Sequence, residues 1–148
     1  LFHPDNNMDT EKLYQEKILA FARQARQHNL LDDAEHSATV SNPTCGDRVR
    51  LDLKIDATNT ILAIGAKADG CALCEAATGL AIATLVGRNA SGLASLADEM
   101  ETWLAGGEDT PDLTDCAVFT PVKDFSSRHS CVCLPFRAAA TAAGARAD

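Results

Sequence analysis

Three short cysteine-bearing runs hold the reactive side chains of this sequence: Pro43-Thr44-Cys45-Gly46-Asp47, Gly70-Cys71-Ala72-Leu73-Cys74 and Arg128-His129-Ser130-Cys131-Val132-Cys133. Thiolates are soft ligands that suit zinc or iron in a cluster, and Asp47 places a carboxylate two residues from Cys45. Three sulfurs and one carboxylate, from Cys45, Cys71, Cys131 and Asp47, match a tetrahedral metal site. A thiolate held by such a metal is also a nucleophile and a sulfur acceptor. Gly46 lets the backbone bend and another group come close. Cys71 stands just ahead of an apolar helix, where the positive end of the macrodipole favours a thiolate. Arg128 favours a thiolate at Cys131 by charge. The C-x-x-C of Cys71 and Cys74 has no second pair, and Cys74 falls inside the apolar helix, where a thiol behaves as a small buried hydrophobe. Cys116 has no neighbouring motif and reads as a packed thiol. His3, His28 and His36 lie in polar segments and read as solvated; His129 reads as solvent-facing or as a group behind the ligands.

The elements that must position these residues follow from periodicity. Tyr14, Ile18, Phe21 and Ala25 recur at helical spacing after a cap at Asp9 or Thr10, which predicts a helix over 11–27. His36 to Ser41 reads as a short strand. Val49, Leu51, Leu53 and Ile55 alternate with Arg48, Arg50, Asp52, Lys54 and Asp56, a strand with one buried and one solvated face. Ala57-Thr58-Asn59 turns the chain into a further strand from Thr60 to Ala66. Ala72 to Val86 is apolar nearly all round and predicts a buried helix packed on the sheet. Residues 91–104 form another helix with Leu93, Leu96, Met100, Trp103 and Leu104 as its core side. An alanine-rich helix is expected from about Cys133 to Gly144, because Pro135 fits a first turn and not a helix interior. The fold class expected is α+β: a small three-stranded antiparallel sheet with helices packed on it, in a single domain.

At 148 residues the chain is long enough to bury a core of one domain. A net charge of −8 is a poor match for phosphate backbones, so nucleic acid is excluded as a natural partner and a basic protein surface fits better. The longest apolar stretch, Cys71 to Val86, is too short to span a bilayer and contains Glu75. With no signal peptide in view, the expectation is a cytoplasmic protein with reduced thiols and no membrane partner. Met8-Asp9-Thr10-Glu11 reads as a native start. Residues 1–9 are therefore expected to be disordered or vector-derived, 10–142 to form the domain, and 143–148 to be a flexible tail.

The run Asn42-Pro43-Thr44-Cys45-Gly46-Asp47, the Gly70-Cys71-Ala72 that opens a small-residue helix, and the late Cys131 together resemble the IscU/NifU-like iron–sulfur assembly proteins over about Thr10 to Ala140. Cys71 follows Cys45 by 26 positions, as in that family, and Cys131 follows Cys71 by 60, which is long. The extra length spans roughly Glu99 to Ser127. With Phe125, Arg128, Cys131 and Leu134 in register, and Ser130 where the scaffold branch carries histidine, the chain is most similar to the SufU branch and its SufE/NifU-like fold. The resemblance implies zinc held by Cys45, Asp47, Cys71 and Cys131. It further implies Cys45 as the catalytic, sulfur-accepting thiolate, and Arg128, Gly46 and His129 as supporting or partner-facing residues. The partners implied are a SufS-like cysteine desulfurase and downstream iron–sulfur assembly proteins. Ala68-Asp69-Gly70-Cys71 departs from the usual Gly-x-Gly-Cys, and Cys133 and Pro135 are unusual, so Cys133 stays open as the last ligand. An IscU-like scaffold carrying a transient iron–sulfur cluster is the alternative, followed by a structural zinc or disulfide-stabilised interaction domain.

Overall fold

The computed structural model describes residues 4–144, with side chains from residue 10 onward. The chain runs through α1 (Pro4–Gln27), β1 (His36–Ser41), β2 (Arg48–Ile55), β3 (Ile61–Asp69), α2 (Ala72–Thr84), α3 (Leu93–Leu104), two 3-10 segments (Cys116–Asp124 and Ser126–Arg128) and α4 (His129–Gly144). The expected α+β architecture is present. Three antiparallel strands lie in the order β1-β2-β3, joined as consecutive hairpins. One face of the sheet packs on α2 and α4, with α1 against α2 and α3 against α4. The inward residues Val49, Leu51 and Leu53 meet Ala76, Ala77, Leu80, Phe136 and Ala139 in a single core. Trp103 is buried in that core, as its helical spacing implied.

Several boundaries differ from the sequence reading. α1 starts at Pro4, so the expected cap at Asp9 or Thr10 is not the start of the helix. Residues 1–3 and 145–148 lie outside the described residues. β3 continues three residues past Ala66, because Ala68 and Asp69 still pair with Val49 and Arg48. α4 starts at His129, four residues earlier than expected, and takes Pro135 into its interior. Proline there has no N–H to offer the carbonyl of Cys131. The helix forms all the same because Cys131, Val132, Cys133, Leu134 and Phe136 are all buried, and burial of this length of apolar surface outweighs one backbone bond.

β2 breaks its own alternation at Asp52, which is fully buried. The chain leaving α1 crosses the outer face of the sheet on its way to β1. There the amide of Leu31 donates to Asp52 Oδ2 at 3.2 Å, and Ser37 Oγ and Arg50 Nε donate to Oδ1 at 2.6 and 3.1 Å. Gly65 in β3 faces Asp52 across the ladder. Any side chain on Gly65 would drive into the backbone of Leu30 and Leu31, so the glycine makes room for the crossing. His28 belongs to the same crossing: its Nε2 is 2.7 Å from the carbonyl of Ile64, which corrects the solvated reading. His36 is half-buried rather than solvated.

Candidate metal centre

Three elements meet at one end of the sheet: the β1–β2 hairpin loop, the start of α2 and the first turn of α4. In the loop, Asn42 N–H donates to the Asp47 carbonyl and Gly46 N–H to the Asn42 carbonyl, each at 2.8 Å. Gly46 adopts φ +78°, a left-handed conformation that glycine takes without strain, and this raises Cys45 to an exposed position. Asn42 Oδ1 accepts from Thr44 N–H at 3.1 Å, while Asn42 Nδ2 donates to Ser130 Oγ at 2.6 Å. The second bond clips the Cys45 loop to the first turn of α4 at Ser130, the residue before Cys131. Sequence reasoning valued Ser130 only as a missing histidine. Its role as a clip depends on a contact across 88 residues that no local pattern reports.

Asp47 is 4 % exposed and forms the centre of the site. Its Oδ1 accepts from the amide of Cys71 at 3.1 Å, and its Oδ2 lies 3.6 Å from Cys71 Sγ. Cys71 is the N-cap of α2, so the carboxylate sits against the positive end of that helix. Gly70 makes this approach feasible, since a Cβ there would stand 2.5 Å from Asp47 Oδ1. Cys45 Sγ, an Asp47 oxygen and Cys131 Sγ all lie within 4.8 Å of one another. Cys71 is the outlying donor, in contact with Asp47 and Cys131 but outside that mutual triple. All six cysteines are free.

The electrostatics of the cluster are lopsided. Burial works to raise the Asp47 carboxyl, but hydrogen bonds from Cys131, Cys45 and the amide and thiol of Cys71 together outweigh it, and the group lies below its usual 3.8. Cys131 moves the other way: burial first, then its hydrogen bonds with Asp47 and Cys71 and their negative charges, hold its proton on. Ionising Cys131 beside the Asp47 carboxylate therefore calls for a cation between them. In tetrahedral zinc, bonds of about 2.3 Å place neighbouring sulfurs about 3.8 Å apart. Cys45, Asp47 and Cys131 donors within 4.8 Å of one another, with Cys71 Sγ 3.6 Å from Asp47 Oδ2, are close enough to share a single ion.

Cys133 is not part of this cluster. Its thiol is pushed up to about 12, first by burial and then by Glu101, with Arg137 and Cys116 also in range, which puts it on the α3 side of α4. Arg128 is exposed on the 3-10 turn before α4 and makes no ion pair with any described residue. His129 does not face solvent freely. It is half-buried, and its Nε2 lies 3.0 and 3.1 Å from the carbonyls of Val122 and Lys123, tying the start of α4 to the preceding 3-10 segment. That segment, in the long stretch between Cys71 and Cys131, packs Val118, Phe119 and Val122 into the core and is pinned by Lys123 Nζ over the Trp103 ring at 5.3 Å.

A small antiparallel sheet with helices on one face thus brings the thiols of Cys45, Cys71 and Cys131 to one buried carboxylate. The profile of the NifU-like N terminal domain matches residues 13–132, and the chain belongs to this family. It is 28 % identical over 134 residues to the zinc-dependent sulfurtransferase SufU of Bacillus subtilis (strain 168), covering 89 % of this chain and 88 % of that one. It is 25 % identical over 126 residues to the iron–sulfur cluster assembly scaffold protein IscU of Thermotoga maritima, covering 84 % and 88 %. Among solved structures, a NifU-like protein (N-terminal) from Brucella abortus superposes with a TM-score of 0.76 at 27 % identity, covering 85 % of this chain and 88 % of that one. A candidate iron–sulfur cluster assembly scaffold for the SUF system from Fervidobacterium islandicum AW-1 superposes at 0.78 with 25 % identity, covering 86 % and 94 %. No described helix is long and apolar enough to cross a membrane.

Proposed function

We propose that this chain is a zinc-dependent sulfur acceptor that takes persulfide sulfur from a SufS-like cysteine desulfurase and passes it into iron–sulfur cluster assembly. The observation that carries this reading is the asymmetry of the cluster: Asp47 and Cys131 are buried while Cys45 is exposed at the tip of its loop. Cys45, Asp47, Cys71 and Cys131 would hold the zinc, which when bound supplies the positive charge that keeps the thiols ionised at neutral pH. Asp47 is anchored by the Cys71 amide and cannot reach out to a partner. Cys45 can, and its thiolate attacks the terminal sulfur of the desulfurase persulfide. A new S–S bond forms on Cys45, the partner's S–S bond breaks, and the partner's cysteine leaves as thiolate. Arg128, exposed and in no ion pair with a described residue, stands one turn before Cys131 and is placed to meet the negative charge of the incoming persulfide. A similarity to SufU supports the zinc and sulfur-transfer parts of this reading.

The test is single-turnover transfer from a desulfurase, followed by mass spectrometry. Cys45→Ala is expected to abolish the +32 Da adduct, about one sulfur per chain, while leaving the fold intact, because Cys45 is exposed and lies outside the hydrophobic core. An adduct of normal yield on the variant overturns the assignment. The same donor set could instead carry an iron–sulfur cluster as cargo, a reading supported by the similarity to IscU. A stable iron–sulfur chromophore on the purified chain, in place of about one zinc, would favour it.

A further inference from the structure

The chain leaving α1 covers the outward side of the sheet where Asp52 and Gly65 lie. Towards the cysteine loop, the outward residues form two cross-strand rows: Thr39, Arg50 and Lys67, then Ser41, Arg48 and Asp69. All six are exposed, and all but Ser41 line a shallow depression of about 310 Å³. Arg50 and Lys67 are direct partners across the β2–β3 ladder. Like charges set opposite one another in a sheet repel and cost stability. Arg50 has some relief, since its Nε donates to Asp52 Oδ1 at 3.1 Å. Lys67 and Arg48 have none: neither makes an ion pair with any described residue, although Asp69 is the register partner of Arg48. In a chain of net charge −8, three cations on one bare stretch of sheet give a local field opposite in sign to the average.

We propose that this face, built on Arg48, Arg50 and Lys67, docks an acidic segment of a partner protein. Guanidinium groups present planar forks that match carboxylates, and the hydroxyls of Thr39 and Ser41 add donors at the β1 side. The depression is open rather than enclosed, which suits an extended segment lying across the strands better than a small molecule held in a cavity. Asp69 within the patch and the negative charge of the rest of the chain oppose a dense polyanion such as nucleic acid. A segment with carboxylates spaced between neutral residues meets the cations and avoids Asp69. Charge of this kind sets the rate and choice of encounter more than final affinity. Arg48 directly follows Asp47, and Asp69 stands two residues before Cys71, so a partner gripped here lies beside the metal centre. The docking face stands on charge and register alone and does not depend on the sulfur-accepting step.

The experiment titrates the full chain into a fluorescein-labelled peptide of alternating glutamate and serine and follows anisotropy at about 20 mM salt, where surface charge is least screened. Wild type is expected to bind, and the double variant Arg48→Glu with Lys67→Glu to bind at least ~10-fold more weakly, as reversal of two facing charges does. Arg50 is left in place because it donates to the buried Asp52. The control variant Lys12→Glu with Arg23→Glu makes the same change of net charge at exposed positions of α1 and is expected to lower affinity by no more than about 2-fold, since distant charges are screened. No binding to wild type, equal binding by the double variant, or an equal loss in the control overturns the proposal. Inorganic phosphate that displaces the peptide at equal concentration would make this a small-anion site, and a single-stranded oligonucleotide bound more tightly than the peptide would make it a nucleic-acid site; either result overturns the acidic segment. Thermal unfolding gives a second readout. Lys67→Glu alone sets opposite charges across the ladder, so it is expected to unfold at or above the wild-type temperature while binding the peptide more weakly. A lower unfolding temperature would show that the Lys67 charge serves the fold, and overturns the proposal too.

Discussion

Two buried carboxylates, Asp47 and Asp52, lie five residues apart and are used in opposite ways. Asp52 is satisfied entirely by the fold, with a backbone amide, a hydroxyl and a guanidinium N–H donating to its two oxygens. Asp47 has one backbone amide, and its other neighbours are thiols. Each has a glycine that makes its setting feasible: Gly65 admits the chain that covers Asp52, and Gly70 admits Asp47 to the cap of α2. A buried charge whose partners are strong, fixed donors is a structural staple. One whose partners are weak donors that can themselves become ligands is prepared for a cation.

The comparison can be broken at several points. Asp52→Ala is expected to cost the most stability, about 2–4 kcal/mol in urea unfolding, because it leaves the Leu31 amide and the Ser37 hydroxyl without their acceptor. Gly65→Ala comes next, at about 1–3 kcal/mol, since the added methyl meets fixed backbone at Leu30 and Leu31. A Gly65→Ala chain as stable as wild type would show that the crossing is not held in place. Gly70→Ala meets a side chain instead, so its effect should fall on metal rather than on the fold. Zinc affinity by chelator competition is expected to drop by about 10–100-fold, the usual effect of disturbing what orients a ligand.

Asp47→Asn is expected to lower affinity at least that far while leaving the metal-free chain close to wild type in stability, the reverse of Asp52→Ala. The smallest effect concerns acid. Because the Asp47 carboxyl lies below its usual 3.8 in the folded chain, its ionised form stabilises the fold above that value. That contribution is lost as pH falls through the depressed folded value. Unfolding of the metal-free chain followed below about pH 4 should therefore show a shallower acid limb in Asp47→Asn than in wild type.

The strands were legible because β2 alternates over eight residues and only one face of the sheet is covered by helices. The same logic misread Asp52. Alternation assigns it to solvent, and nothing local announces that the chain from α1 will cross above it. α4 was misplaced for a related reason: proline's local preference pointed to a helix start at about Cys133, and burial of the flanking residues overrode it. His129 was read by its proximity in sequence to Cys131, but its ring is held by carbonyls of the segment before the helix.

The sequence by itself determined the donor types and the local devices that present them: a left-handed glycine beside Cys45, a glycine ahead of Cys71, and a thiol at the start of an apolar helix. These are short-range properties, set by backbone sterics within a few residues. Only the tertiary structure decided which thiols share Asp47. The register of Arg128 and Leu134 favours Cys131 but leaves Cys133 open, and the packing of α4 between the sheet and α3 turns one towards the carboxylate and the other towards Glu101 and Arg137. Convergence of side chains tens of residues apart is fixed by burial of the elements that carry them, and that free energy belongs to the whole core rather than to any one segment.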